Sequence, residues 1–263
     1  MMAPQRPSFL KLALESRAGL EWASHWLWRA RLAQWPKVDG IPVLLLPGLA
    51  TNQWAMAPMR QSLTDLGYQA YDWELGFNTG PTLDGLDALA KRVRTLSKQH
   101  GQPVALVGWS LGGSMARAVA ARAPEHVRCV VALGSPLNRN LASHLDTLFA
   151  LLSHHKSTDR RLFRWLEKPI RSIPMTSIAS VDDGLLSWES STLPKTQAQE
   201  TVLLRGVSHL GLPAHPYVLW LIHDRLRQDP ARWKPYRGRS KWDQLWKAPA
   251  ATTAAWRAAI MEG

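Results

Sequence analysis

The sequence predicts an α/β domain built on a mostly parallel sheet with helices on both faces. Short apolar runs alternate with longer amphipathic segments from residue 41 onward, and several of those runs are continuously apolar, as strands buried on both faces are. Composition agrees. A chain of 263 residues with 46% hydrophobic content is enough for one sizeable α/β domain with extensions, and no second domain is required.

Residues 1–40 form an N-terminal extension carrying Trp22, Trp26, Trp28 and Trp35. Leu12, Ser16, Leu20 and Leu27 fall near helical spacing, which predicts one or two amphipathic helices whose apolar stripe packs on the domain. Ile41 to Gly48 reads as a buried strand ending in a turn, and Trp54 to Leu66 as a helix stopped by Gly67. Tyr68 to Trp73 is a second strand. Thr82 caps a helix in which Leu86, Leu89, Val93 and Leu96 share one face, and Gly101 ends it. Val104 to Gly113 then runs from an apolar strand through a Gly-flanked serine into a helix, and Val127 to Leu133 is the next buried strand. Leu137 to Pro174 interrupts the alternation. Leu141, Leu145, Leu148, Phe149 and Leu152 mark an amphipathic helix there, followed by Lys156, Arg160, Arg161, Arg164, Lys168 and Arg171, and an insertion of this length reads as a helical lid. Strands resume at Met175–Ser180 and Glu200–Arg205, and a helix from Pro216 to Arg227 closes a core spanning 41–228. Residues 229–263 are a basic, Trp-rich arm expected to wrap on the domain or trail from it.

The net charge of +12 and the 14 tryptophans favour anionic contacts, and the pairing of Trp with Arg and Lys suits a membrane interface. Cys129 is the lone cysteine, so a disulfide framework is excluded. Lys11, Glu15 and Arg17 break up the first apolar stretches, and no segment is long enough to span a bilayer, so the expected location is cytoplasmic, with peripheral membrane contact as an extension of it. No clustered metal ligands and no dinucleotide fingerprint are present, so neither a metal nor an organic cofactor is implied.

The chemistry centres on Gly108-Trp109-Ser110-Leu111-Gly112, a nucleophile elbow in which a strand turns sharply into a helix and exposes Ser110 Oγ. A serine hydroxyl needs a base to take its proton and an acid to orient that base. On such a sheet both belong on later strand-end loops, acid before base. Asp182 and Asp183 follow Met175–Ser180, and His209 follows Glu200–Arg205. His215 and His223 are the other downstream histidines, but neither occupies the turn directly after a strand. Between the aspartates the residues alone leave the choice open: Gly184 favours a turn centred there with Asp183 inward and Asp182 capping the turn or facing solvent. The amides of Leu111, at the positive end of the elbow helix, and of Leu49, after Pro47-Gly48, are the expected oxyanion donors.

These stretches, with Leu75 to Thr82, Gly134-Ser135-Pro136, Ser177 to Gly184 and Ser208 to Leu212, resemble the α/β-hydrolases of the bacterial esterase/lipase type over about residues 41–227. The resemblance implies the α/β-hydrolase fold, assigns the acid to Asp183, just before Gly184, and departs from many members in having Pro47 where they have His. The terminal segments match nothing in the family. The function it implies is hydrolysis of a carboxylic ester, lipid-like or acyl, through an acyl-enzyme. An acyltransferase or thioesterase on the same triad, and a silent hydrolase scaffold that binds anionic lipid or nucleic acid, are the alternatives. Of these partners a lipid or small-molecule ester is expected and nucleic acid is not.

Overall fold

The computed structural model describes residues 6–138, 164–166, 168–194, 196, 198–238 and 243–248. Six strands form one sheet: β1 (Pro42–Leu46), β2 (Gln69–Asp72), β3 (Val104–Trp109), β4 (Val127–Leu133), β5 (Met175–Ser180) and β6 (Gln199–Leu204). Their order is β2-β1-β3-β4-β5-β6, and every pairing is parallel. The helices that the described residues delimit are α1 (Phe9–Ala13), α2 (Ala18–Leu32), α3 (Ala57–Asp65), α4 (Leu83–His100), α5 (Leu111–Arg122), α6 (Pro216–Leu226) and α7 (Asp243–Trp246), and residues 164–166 are helical as well. Among the described residues none is long and apolar enough to cross a membrane.

The period of two along a strand sends alternate side chains to opposite faces. Val43, Leu45, Ala105, Val107 and Val131 therefore join Met59 and Leu63 of α3, Leu32 of α2 and Val218 and Ile222 of α6 on one side. Leu44, Leu46, Leu106, Val130 and Ala132 meet Leu86, Leu89 and Val93 of α4 and Ala116 and Val119 of α5 on the other. Each fully buried Leu or Val contributes about 1.5–3 kcal/mol, so the two layers hold the sheet rigid beneath its loops. Because all strands run one way, the loops after β1, β2, β3, β5 and β6 leave from a common edge. The chain turns in opposite directions from β1 to β2 and from β1 to β3, which makes that edge beside β1 and β3 the switch point where such sheets open a crevice.

Local chemistry sets the element ends. Thr82 Oγ1 accepts from Gly85 N to start α4, and Gly101 ends it at φ 61°. The helix expected from Trp54 begins instead as a 3-10 turn, Gln53–Met56, and becomes α-helical at Ala57, where Pro58 fits the first turn. The helix expected at Leu141–Leu152, with Lys156, Arg160 and Arg161, lies outside the described residues, but both ends of the insertion are tied to α5. Buried Arg117 donates to the carbonyls of Leu137 and Leu166. At the far edge of the sheet the arm lies on β6: Ala248 N donates to Leu203 O at 2.8 Å, Arg205 N to Trp246 O at 2.7 Å, and Leu204 bridges Lys247 antiparallel. A sheet edge is thereby covered.

The N-terminal helices corrected one expectation. They pack on the domain, with Leu32, Trp28 and Trp35 against the α3/α6 layer, but the stripe read as inward faces out. Leu20 is 76% and Leu27 82% exposed, whereas Glu15, Ala18, Glu21, His25 and Leu32 are buried. Polar side chains take the inner face because the surface beneath them is a set of loops full of free N–H groups rather than an apolar layer.

Candidate active site

Ser110 follows directly on β3 and caps α5 with φ 53° and ψ −124°, a conformation that a non-glycine residue holds at a cost of about 1–3 kcal/mol and only where packing over-determines it. The packing is explicit. A Cβ at Gly108 would run into the backbone of Gly112, and one at Gly112 would run into the carbonyls of Leu46 and Pro47. Both positions must be glycine for strand and helix to close on one another. Ser110 N donates to Leu133 O at 2.7 Å, fastening the turn to the end of β4.

The loop after β1 comes back over this turn. Gly48 lies against Trp109 and Ser110, the nearest approach of its Cβ position being 3.1 Å to the Trp109 ring. Ala50 takes φ 57°, and its N–H donates to Asn78 O at 2.8 Å. Asn78 is fully buried and holds the loop from three sides, since its N–H also donates to Thr51 O and its Nδ2 to Pro47 O. Leu49 thus sits inside a strapped loop beside the serine, and Leu111 N is the first amide of α5, where no carbonyl one turn earlier can take it. The role of Asn78 was hidden in the sequence. Asn78-Thr79-Gly80-Pro81 reads by its composition as a loop, and nothing local says that the loop reaches back to β1.

The loops after β5 and β6 meet in a buried pair. Asp183 Oδ2 lies 2.6 Å from His209 Nδ1, and both side chains are almost wholly buried. The other oxygen of Asp183 accepts from Leu185 N at 2.8 Å and Leu186 N at 2.7 Å, so the carboxylate is fixed on both sides. Asp182 turns elsewhere: its Oδ2 accepts from Gly206 N at 2.6 Å. The His209 ring lies against the Trp109 ring, 5.8 Å between centroids, and 3.1 Å from the Cβ position of Gly134, directly after the carbonyl that receives Ser110 N. Trp109 Nε1 donates to His209 O at 3.1 Å. Serine turn, imidazole and carboxylate therefore share one corner of the sheet edge. Among the described residues no hydrogen bond joins Ser110 Oγ to the ring, and such contacts commonly tighten only with substrate bound.

Burial is the strongest influence on His209 and favours its neutral form. The charge of Asp183, its hydrogen bond and the charge of Glu15 together outweigh burial and hold the imidazole above its ordinary pKa. His215 and His223 go the other way, both pushed down to about 4, chiefly by burial. His215 caps α6, and His223 Nδ1 bonds Tyr68 OH at 2.9 Å. They serve the core. No group of three or more His, Cys, Asp or Glu side chains that could hold a metal occurs among the described residues. Two buried carboxylates from the N-terminal extension, Glu15 and Glu21, reach the loops of Asp183 and His209, which the sequence reading missed. The available signal was the run Glu15, Ala18, Glu21, His25, Trp28 and Leu32, which has helical spacing as regular as that of the leucines.

Residues 41–164 match the family model described as the alpha/beta hydrolase fold. No curated protein sequence matches the chain. Among solved structures, the Bacillus licheniformis lipase BlEst2 is similar at 16% identity and a TM-score of 0.56, over 73% of this chain and 94% of that one. One of the metagenome-derived lipolytic enzymes LipS and LipT is similar at 14% identity and 0.55, over 73% and 95%. The N-acyl homoserine lactonase AidH, solved with N-butanoyl homoserine, is similar at 14% and 0.51, over 77% and 94%. With the six-stranded parallel sheet and the strained serine at its switch point, these likenesses show that the chain has the α/β-hydrolase fold.

Proposed function

We propose that the protein is a serine hydrolase that cleaves carboxylic esters through an acyl-enzyme. The observation that carries the reading is the buried Asp183–His209 pair at 2.6 Å, on loops that open at the same sheet edge as the strained Ser110. In this reading Ser110 Oγ attacks the ester carbonyl while His209 Nε2 takes its proton. Asp183 accepts from Nδ1–H and so selects the tautomer whose Nε2 is free. The carbonyl oxygen becomes an oxyanion and receives the amides of Leu49 and Leu111. Collapse breaks the C–O bond, and His209 returns the proton to the departing alcohol. Water, deprotonated by His209, then attacks the acyl group, and Ser110 leaves with the proton restored.

An apolar acyl chain suits the rim. Trp54 after β1, Leu75 and Phe77 after β2, and Leu210 after β6 are 73%, 41%, 54% and 39% exposed, and all stand on loops from the same edge. The named relatives include a lipase, a lipolytic enzyme and a lactonase of N-acyl homoserine, whose substrates also carry acyl groups. Labelling by a fluorophosphonate probe, with turnover of short acyl esters, tests the reading. Both are expected in the wild type and neither in Ser110→Ala; a folded wild type that neither labels nor turns over esters would sink it. Competing alcohol or thioester substrates separate hydrolase from acyltransferase and thioesterase.

A second reading concerns where the enzyme works. The outer stripe of α2, Leu20, Ala23, Leu27 and Ala30 with Trp26 beside it, is exposed and ends at the exposed Arg31, and the chain carries +12. This supports peripheral contact with an anionic membrane surface from the cytoplasmic side, the apolar stripe lying at the headgroup boundary. Sedimentation with vesicles containing phosphatidylglycerol, but not with phosphatidylcholine alone, is the expected result; equal recovery in both pellets, or in neither, counts against it.

A further inference from the structure

The N-terminal extension lies outside the matched family region, yet it supplies the side chains that hold the two loops of the Asp183–His209 pair. Glu15 is 5% exposed, and its carboxylate accepts three backbone hydrogen bonds. Oε1 takes Gly184 N at 2.8 Å and His209 N at 2.9 Å, and Oε2 takes Leu210 N at 3.0 Å. One carboxylate thus ties the residue after Asp183 to His209 itself. Glu21, 8% exposed, accepts from Ser208 N at 2.9 Å and from Ser208 Oγ, and Ser208 Oγ in turn accepts from Gly211 N at 2.9 Å. Lys11 Nζ donates to Val181 O at 2.6 Å, Arg17 Nη2 to Asp182 O at 3.0 Å, and Trp22 Nε1 to Leu210 O at 2.9 Å.

The contact is too close to be casual packing. A Cβ on Gly184 would collide with the carbonyl of Lys11, and one on Gly211 with the carboxylate of Glu21. A buried carboxylate is costly unless each oxygen is satisfied, and loop amides left without partners are costly as well. Each solves the other's problem here, so the pairing adds a direct bridge at Gly184 and His209 to two loops that are joined lower down by Val181 N to Leu204 O, Ser180 Oγ to Val207 O and Gly206 N to Asp182 Oδ2.

We propose that Glu15 is a positioning residue for the Asp183–His209 pair, bridging the acid loop and the base loop with a single buried carboxylate, and that Glu21 steadies the base loop beside it. The proposal rests on the serine-hydrolase reading for its catalytic consequence. Glu15 is not a catalytic residue, since it touches only backbone amides and never the reacting atoms. The charged groups facing His209 and its loop are Asp183 from the acid loop, Glu15 and Glu21 from the N-terminal segment, and Arg17, which pairs with Glu21 at 3.4 Å.

The test is Glu15→Gln. It keeps the shape but removes the charge and turns an N–H₂ toward backbone donors. The expected result is a kcat lowered by roughly 10- to 100-fold, the scale on which lost outer partners act, with KM little changed. The acid limb of the kcat/KM profile should also move to lower pH, because a negative charge that favours the imidazolium is gone. Glu15→Asp keeps the charge but loses reach, so it should lose kcat while leaving that limb near its wild-type position. Histidine NMR follows the His209 titration without any substrate, so a fall in its pKa in Glu15→Gln supports the bridge even if the wild type hydrolyses nothing and the hydrolase reading fails. Wild-type kcat, acid limb and His209 titration in a folded Glu15→Gln would overturn the proposal. Should the variants not fold, hydrogen exchange on the wild type decides: slow exchange of the Gly184, His209 and Leu210 amides supports the bridge, and exchange at open-loop rates overturns it.

Discussion

The turn at Ser110 and the N-terminal helices serve the same sheet edge, but the chain encodes them differently. At the turn, everything needed is local: an apolar strand, glycines two residues either side of a serine, and a helix that begins at once. In the N-terminal segment the hydrophobic pattern points the wrong way, with Leu20 and Leu27 outward and Glu15, Glu21 and His25 inward. The difference teaches that amphipathic reading assumes an apolar surface beneath the helix. Where that surface is made of loop backbone, hydrogen-bonding capacity rather than hydrophobicity selects the inner face.

The largest effect should come from the pair at the site. Asp183→Asn keeps the size of the side chain but frees His209 from its tautomer. It should lower kcat by about 10⁴-fold with less change in KM, measured by steady-state ester hydrolysis. A strap at Asp182 should not matter on this scale, so Asp182→Asn with wild-type kcat sharpens the contrast. Next is the turn. Gly112→Ala drives a methyl into the Leu46 and Pro47 carbonyls and should cost about 4 kcal/mol or more, seen as a collapsed urea midpoint or insoluble expression.

The N-terminal side should give a smaller but definite loss. Glu21→Leu strands Ser208 N and Oγ without an acceptor and should cost about 1–3 kcal/mol by chemical denaturation, against the gain that hydrophobic reasoning would expect for a helix made more apolar. Solution pH tests the electrostatics of the pair. The base must be neutral to accept a proton, and its pKa is raised, so kcat/KM should be full at alkaline pH and fall as pH drops through a value above the ordinary 6.5 or so of histidine. A limb well below that value would contradict the arrangement. The smallest effect belongs to the outer stripe. Leu20→Ser with Leu27→Ser should change stability by no more than about 0.5 kcal/mol per site while reducing recovery with anionic vesicles, and a large loss of stability would mean that the stripe is packed after all.

Much of the fold was legible along the chain because a doubly covered parallel sheet writes itself in short apolar runs. Val104–Trp109 and Val127–Leu133 are strands where the runs predict them, and Thr82 and Gly101 bound α4 as their chemistry requires. The order of loops also made Ser110, Asp183 and His209 nameable as candidates. Less legible was anything that depends on which loops meet. Asn78 looked like a turn residue, and only its burial against Pro47 and Thr51 reveals a strap on the loop of Leu49. Asp182 and Asp183 are neighbours of one type, and their different partners, Gly206 N and His209, follow from how one loop twists over another.

Apolar periodicity and glycine sterics act over a few residues and leave a mark at each, so the parallel sheet, the serine turn and the order of the candidate residues are readable along the chain. That Glu15 and Glu21, nearly 200 positions before His209, hold its loop emerges once the chain has folded. A hydrogen bond between distant segments is chosen by the spare N–H groups that folding brings together, and those appear in no local pattern.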